Sequence, residues 1–298
     1  MIFPHVRPVI AALFFLLAPT TGIGQSPVRV VVSILPQVWF AEKIGGREIQ
    51  VSVLVGPGQS PATYDPSARQ MVLLQEAELF IHAGVPFEKG LLPRINRLAE
   101  GPSITGVPPS VHSPGHDNIS HDHDGLDPHS WLDPLQAQVL ADTLCAAFCR
   151  LRPESEALFL SRRKELRATL ENLDNELRGI LSPHEGKEFF VFHPAFGHFA
   201  AAYGLTQIPI EAGGHEPGAR HLAEVMDHAR RAGASAIIVQ PQFSRKSASA
   251  VAQSLDLEVI VLDPLARRYD DNLRKIAHTM IDLFAKTTQR NPTGETAP

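Results

Sequence analysis

The stretch that decides the fold is residues 154–181, ESEALFLSRRKELRATLENLDNELRGIL. It has no proline and a single glycine, Gly179, and its apolar residues recur mostly at spacings of three and four. This spacing predicts an amphipathic helix. At about 1.5 Å per residue the helix is about 42 Å long, wider than a small domain, so we expect it to brace two lobes. A coiled coil is the weaker alternative, because the stripe lasts only about three heptads.

Short apolar runs alternate with helical segments on both sides of this helix. The runs lie at 30–34, 50–55, 79–82, 188–192, 205–210, 235–239 and 258–262. Such alternation predicts parallel sheets with helical crossovers. We therefore expect an α/β fold with two parallel-sheet, Rossmann-like lobes joined by one long helix. The expected divisions are an N-terminal lobe at 25–152, a linking helix at 153–183, a C-terminal lobe at 184–288 and a disordered tail at 289–298.

The first 24 residues have the pattern of a signal peptide. Arg7 precedes an apolar run at 9–17, and Gly22 and Gly24 provide a small-x-small cleavage site. The run is too short to span a bilayer comfortably, although an N-terminal anchor is the alternative. We expect a periplasmic protein without direct membrane insertion. The net charge of -5 gives no broad basic surface, so we expect no nucleic-acid partner.

The segment 101–127 has four prolines and no apolar periodicity, which predicts a loop. Histidines interleave with aspartates there, and neither Lys nor Arg lies between Gly101 and Trp131. Imidazoles in an anionic segment favour capture of divalent transition metals. A solvated linker that happens to be His-rich is the alternative. Four histidines lie in this loop and a fifth lies just beyond it: His112, His116, His121, His123 and His129.

Three further positions are candidate metal ligands because of where they lie. His129 is held in the rigid sequence DPHSWLDP, while His193 and Asp263 each directly follow a predicted strand and precede a proline. In open α/β sheets, ligands bind outside the carboxyl ends of the strands. Two imidazoles and a carboxylate brought together there would bind zinc. Taken singly, each has an ordinary explanation, either as a capping Asp or as a His bonded to backbone.

The two cysteines, Cys145 and Cys149, lie four residues apart on a predicted helix. A disulfide between them would be strained, so we interpret both as small apolar residues rather than as a disulfide or a thiolate metal site.

Together, these residues resemble the zinc- and manganese-binding components of ABC importers, which have two lobes joined by a rigid helix. The resemblance covers residues 28–286. Its pieces, in order, are VVVSILP at 30–36, VGPGQSPATYDPS at 55–67, DPHSWLDP at 127–134, HPAFGHFAAAYGL at 193–205, EPGARHL at 216–222 and LDPLA at 262–266.

The resemblance implies a metal cleft between the lobes with four ligands. The second of these falls on His129, the third on His193 and the fourth on Asp263. An imidazole at the third position favours Zn²⁺ over Mn²⁺, since oxygen ligands suit manganese. The resemblance also implies a solute-binding protein that delivers its metal to an ABC permease in the inner membrane. We expect a monomer that is not an enzyme.

One position departs from the family pattern. The family's first ligand is a histidine, and here that position is Ala62, whose methyl group cannot bind a metal. The open tetrahedral position could be filled by water or by a side chain from the list His121, His123, Asp65, Glu211 and His215. Two other functions stay open. One is a zinc-dependent hydrolase with a metal-bound water, although the chain has no His-Glu-x-x-His motif. The other is a scaffold that binds another metal or a metal chelate.

Overall fold

The computed structural model describes residues 26–98, 101–106, 110–111, 126–211, 218–243, 252–254 and 256–290. The expected signal peptide, most of the His-rich loop and most of the helix expected at 244–254 lie outside the described residues. Within the described ranges, no helix is both long and apolar enough to cross a bilayer.

The first sheet has four parallel strands in the order β2-β1-β3-β4. The strands are β1 Val28–Val32, β2 Ile49–Val53, β3 Leu79–His82 and β4 Ser103–Gly106. The helices between them are α1 Leu35–Gly45, α2 Ala68–Glu76 and α3 Glu88–Ile95. A capping box begins α2, where Ser67 Oγ accepts from the Gln70 backbone N–H while the Gln70 side chain accepts from the Ser67 backbone N–H.

The prediction that 101–127 is entirely a loop is wrong at β4. This strand contains a single strongly apolar residue, Ile104, so its periodicity is weak. Pairing with β3 from Leu79 to His82 stabilises it as an edge strand, because context overrides local preference in sheets. A short antiparallel pair, β5 Ser110–Val111 and β6 Leu126–Asp127, connects the two ends of the remaining loop.

Two helices follow the loop, α4 Ala137–Leu151 and α5 Glu156–Leu181. The long helix begins two residues later than predicted, since a 3-10 turn at Pro153–Ser155 precedes it. Its length is about 39 Å at the rise per residue of an α-helix. Its predicted apolar stripe is confirmed, with Phe159, Leu166 and Leu170 among its fully buried residues.

The second sheet is also parallel and four-stranded, in the order β10-β9-β7-β8. The strands are β7 Glu188–Val191, β8 Thr206–Pro209, β9 Ala236–Val239 and β10 Glu258–Val261. The helices of this lobe that the structure describes from end to end are α6 Gly197–Ala202, α7 Ala219–Arg231 and α8 Tyr269–Arg290, and residues 252–254 are also helical. The tail was expected from residue 289, but α8 continues to Arg290. The Arg290 guanidinium donates to the Asp256 carboxylate (2.7 Å) and to the Ala234 carbonyl (3.2 Å).

The long helix joins the cores of the two lobes. It packs against α1 and α4 on the first lobe and against α8 on the second. One continuous apolar core runs from the first sheet, through α5, to one face of the second sheet. A direct aromatic contact adds to this bridge, because the Tyr269 ring lies 4.8 Å from the Phe40 ring and 5.1 Å from the Trp39 ring. The expected α/β architecture of two lobes and one long helix is confirmed.

Candidate metal centre

His129 is held by the segment that surrounds it in sequence. It follows β6 and precedes a 3-10 turn at Ser130–Leu132. The Asp127 Oδ1 atom accepts from the His129 backbone N–H (2.9 Å) and lies 2.7 Å from the ring atom Nδ1. The Trp131 ring packs on the imidazole at 5.2 Å between centroids. These contacts fix both the backbone and the ring of a residue that sits at a loop end.

Asp127 is itself stabilised as a carboxylate. Burial favours its neutral form, but the His129 and His198 rings and the hydrogen bonds from His129 outweigh burial and hold the pKa of Asp127 below its usual value. The buried His198 ring also donates from Nε2 to the Asp127 backbone carbonyl (3.1 Å). Because an ionised carboxylate only accepts hydrogen bonds, the His129 Nδ1 atom in contact with it carries the proton.

His193 lies just beyond the carboxyl end of β7 and has the same arrangement. Its Nδ1 atom is 2.7 Å from Oε2 of Glu211, a buried residue that follows the neighbouring strand β8. The Phe243 ring stacks on the imidazole, with centroids 4.8 Å apart and planes at 26°. Gln240 holds the His193 backbone from the other side.

The two imidazoles meet between the lobes. Their centroids are 5.6 Å apart and their planes cross at 73°. In both rings the carboxylate partner engages Nδ1, and a neutral ring that donates its N–H to that carboxylate has its lone pair on Nε2. A metal-binding histidine typically donates its second ring N–H to a carboxylate in this way, which fixes the tautomer and makes the ligand more basic. The pair is therefore arranged as metal ligands commonly are.

Asp263 follows β10, and hydrogen bonds connect both Asp263 and its neighbour Pro264 to the same region. Its Oδ1 atom accepts from Gln242 Nε2 (2.7 Å) and from the Leu265 backbone N–H (2.9 Å). The carbonyl of the next residue, Pro264, accepts from the indole N–H of Trp131 (2.9 Å), the residue that packs on His129. Gln242 is adjacent in sequence to Phe243, which stacks on His193. All three predicted ligands thus border the region between the lobes.

Among the described residues, no group of three or more His, Cys, Asp or Glu side chains is gathered closely enough to hold a metal ion. The two imidazoles are the part of the site that converges, and Asp263 is connected to them through Gln242 and through the hydrogen bond between Trp131 and the Pro264 carbonyl. The role of all three as ligands stays a prediction.

The other candidates for the open ligand position differ in where the structure places them and in what they contact. The exposed Asp65 carboxylate pairs with Arg94 (3.2 Å), and Glu211 orients His193 rather than standing free. Ala62 is exposed on the loop after β2. The remaining candidates, His121, His123 and His215, lie outside the described residues.

Sequence reasoning missed the orienting role of Asp127 and Glu211. Asp127 had a usable signal, because an acid two residues before a histidine can reach its ring. Glu211 also had one, since it follows β8 at the same sheet edge as His193. The two cysteines are free thiols with their sulfurs 4.0 Å apart; Cys145 is buried and Cys149 is half-buried. Burial, and next the neighbouring Cys149 thiol, raise the pKa of Cys145 to about 11.

The fold and the site define a class, the two-lobed α/β binding proteins that carry histidines at the cleft between their lobes. The chain belongs to the family described as "Zinc-uptake complex component A periplasmic", which matches residues 30–289. The family resemblance seen in the sequence is thereby confirmed.

Individual relatives agree with this assignment. The high-affinity zinc uptake system protein ZnuA of Bacillus subtilis (strain 168) is 28% identical over 277 residues, which cover 86% of this chain and 87% of the relative. Zinc-binding protein AdcA of Streptococcus pyogenes serotype M3 is 26% identical over 264 residues, which cover 82% of this chain. The match covers 51% of AdcA, so the chain spans about half the length of that relative. A crystal structure of ZnuA superposes with a TM-score of 0.77 at 33% identity, covering 86% of this chain and 99% of that one.

Proposed function

We propose that this protein captures Zn²⁺ outside the cytoplasm and delivers it to an ABC permease in the inner membrane. Membership of a zinc-uptake family supports the proposal, as do the relatives named for zinc uptake and zinc binding. The zinc is cargo that the protein binds and releases, rather than a group that it keeps.

One observation carries the proposal, the facing pair His129 and His193. Each ring is oriented by a carboxylate at Nδ1 and has Nε2 left to bind a cation. We infer that Zn²⁺ binds to both Nε2 atoms and to Asp263, whose Oδ2 atom accepts none of the hydrogen bonds described above. Imidazole suits zinc better than manganese, so Mn²⁺ is the weaker candidate.

We propose binding rather than catalysis at this site. A zinc hydrolase needs a general base beside the metal-bound water. The two carboxylates closest to the imidazoles, Asp127 and Glu211, are each engaged at a ring nitrogen, where they orient a ligand instead. For the position left open at Ala62, we propose a water molecule or a histidine of the His-rich loop as the fourth ligand.

The N-terminal 24 residues would direct export to the periplasm, and the mature protein would act there as a monomer. We also propose the lobe boundaries given by the sequence, with 25–152 and 184–288 as the lobes and 153–183 as the link. The surfaces of both lobes would then be free to meet the permease.

The test is titration calorimetry of the metal-stripped mature protein with Zn²⁺. We expect one tightly bound ion in the wild type, and large losses of affinity in His129→Ala and Asp263→Ala. His228→Ala is the matched control, because His228 also pairs with a glutamate at 2.7 Å but lies on α7, away from the cleft. A wild type that takes up no zinc would refute the proposal, and so would equal affinities in all four proteins.

A further inference from the structure

A short segment after β9 contacts both predicted ligands of the second lobe. This segment, residues 240–243, has the sequence QPQF. Strand β9 lies between β7 and β10 in the sheet, so its end is flanked by His193 on one side and by Asp263 on the other. The segment is thus placed to set the spacing between the two.

Gln240 fixes the His193 side of this arrangement. Its buried amide accepts from the His193 backbone N–H (3.3 Å) and donates to the His193 carbonyl (2.7 Å). Both hydrogen bonds go to backbone atoms, so Gln240 holds the position of the residue and leaves its ring to Glu211. The neighbouring Phe243 then stacks on that ring.

Gln242 contacts the other predicted ligand, Asp263, and unlike Gln240 it bonds to the side chain rather than to the backbone. Its Nε2 atom donates to Asp263 Oδ1 (2.7 Å), which also accepts from the Leu265 backbone N–H (2.9 Å). The other half of the amide, Oε1, is buried and has no hydrogen-bond partner among the described residues. A buried acceptor without a partner is unfavourable. Rotating the amide would not relieve this, because it would place Oε1 against the Asp263 carboxylate oxygen.

We propose that Gln242 is a positioning residue for Asp263 that occupies Oδ1, so that the carboxylate binds the cation through Oδ2 alone. The inference rests on the proposed function, in which Asp263 is a zinc ligand. A carboxylate whose two oxygens are both free can bind a cation with one oxygen or with two. Two hydrogen bonds on Oδ1 leave the single-oxygen mode, which keeps the coordination number low and suits the tetrahedral preference of zinc.

The test compares Gln242→Met with wild type, using Zn²⁺ for affinity and Co²⁺ as a spectroscopic probe. Methionine keeps the length of the side chain and removes the amide. We expect zinc affinity to fall by about 10- to 100-fold, the usual effect of losing an outer-shell partner. We also expect the visible absorption of bound Co²⁺ to weaken, because cobalt absorbs less strongly as its coordination number rises above four.

Gln207→Met is the matched control. Gln207 is a buried glutamine of the same sheet whose Oε1 accepts from the Phe196 backbone N–H (2.7 Å). This substitution should lower the unfolding temperature without changing the cobalt spectrum. If Gln242→Met does not fold, Gln242→Leu replaces it. A wild type that binds zinc, with unchanged affinity and spectrum in the Gln242 variant, would overturn this inference alone. A wild type that binds no zinc would overturn the proposed function as well.

Discussion

Glu211→Gln is the substitution that most directly tests how the site works. Glu211 is buried, and its Oε2 atom lies 2.7 Å from Nδ1 of His193. Glutamine has nearly the same shape and can still accept the hydrogen bond through its amide oxygen. The substitution therefore removes the negative charge behind the ring while keeping its contact. If the carboxylate makes His193 a better ligand, the loss should appear in zinc affinity.

The size of the effect follows from the geometry. The 2.7 Å hydrogen bond, the imidazole ring and a Zn–N bond of about 2.0–2.1 Å together place the carboxylate about 6.5 Å from the cation. At an effective dielectric constant of about 20, a divalent cation and a single negative charge at that distance attract by about 5 kcal/mol. The ligands reduce the charge on the metal, so the measured loss should be smaller. We expect a 10- to 100-fold loss of affinity, or about 1.4–2.8 kcal/mol.

The assay is competition for Zn²⁺ against a chromophoric chelator, with the metal-free proteins first shown to unfold at similar temperatures. The chain provides a close control in Glu188→Gln. Glu188 lies at the start of β7 and its Oε2 atom is 2.7 Å from Nε2 of His228, so the same substitution is made on a similar pair away from the cleft. Affinity should fall only in the Glu211 variant. Equal affinities in Glu211→Gln, Glu188→Gln and wild type would refute the role of Glu211.

Three further predictions concern the first lobe. Ala62→His should restore an imidazole at the open position and tighten zinc binding by about 10-fold or more in the same competition assay, whereas unchanged affinity would mean that residue 62 is remote from the cation. Gly106→Ala should destabilise the fold by about 1–3 kcal/mol in urea unfolding, because a Cβ there would overlap the His82 ring, and adding His82→Ala should recover most of the loss. Burial lowers the pKa of His82, so the unfolded chain binds its proton more readily than the folded one. Unfolding free energy should consequently fall as the pH drops below about 6.5, and His82→Asn should flatten that slope; an unchanged slope would contradict the assignment.

The fold was largely predictable because its signals are local. The proline-free stripe at 154–181 and the alternation of apolar runs with helices are properties of neighbouring residues, and they predicted both sheets and the long helix. The β4 strand could not be predicted this way. Its sequence, SITG, has weak strand character, and the strand is stabilised by pairing with β3, which is a contact across the chain.

The residues of the site show the same contrast between local signals and contacts across the chain. His129, His193 and Asp263 could be proposed because each lies at a position that the backbone pattern marks, next to a proline and at the end of a strand or loop. The residues that contact these predicted ligands are less distinctive in the sequence. Glu211 is one acid among the 32 Asp and Glu residues of the chain, and only the pairing of β7 with β8 brings it to the His193 ring.

The contacts among the predicted ligands bear on how the chain can carry Ala62 where the family has a histidine. If the side chain at residue 62 held the other predicted ligands in place, a change there from histidine to alanine would displace them. Here the remaining groups are linked through shared neighbours, since Trp131 packs on His129 and donates to the carbonyl beside Asp263. The segment 240–243 likewise contacts both His193 and Asp263. Because none of these contacts involves residue 62, the arrangement of the three predicted ligands does not depend on the side chain there, and we expect a metal site to persist without it.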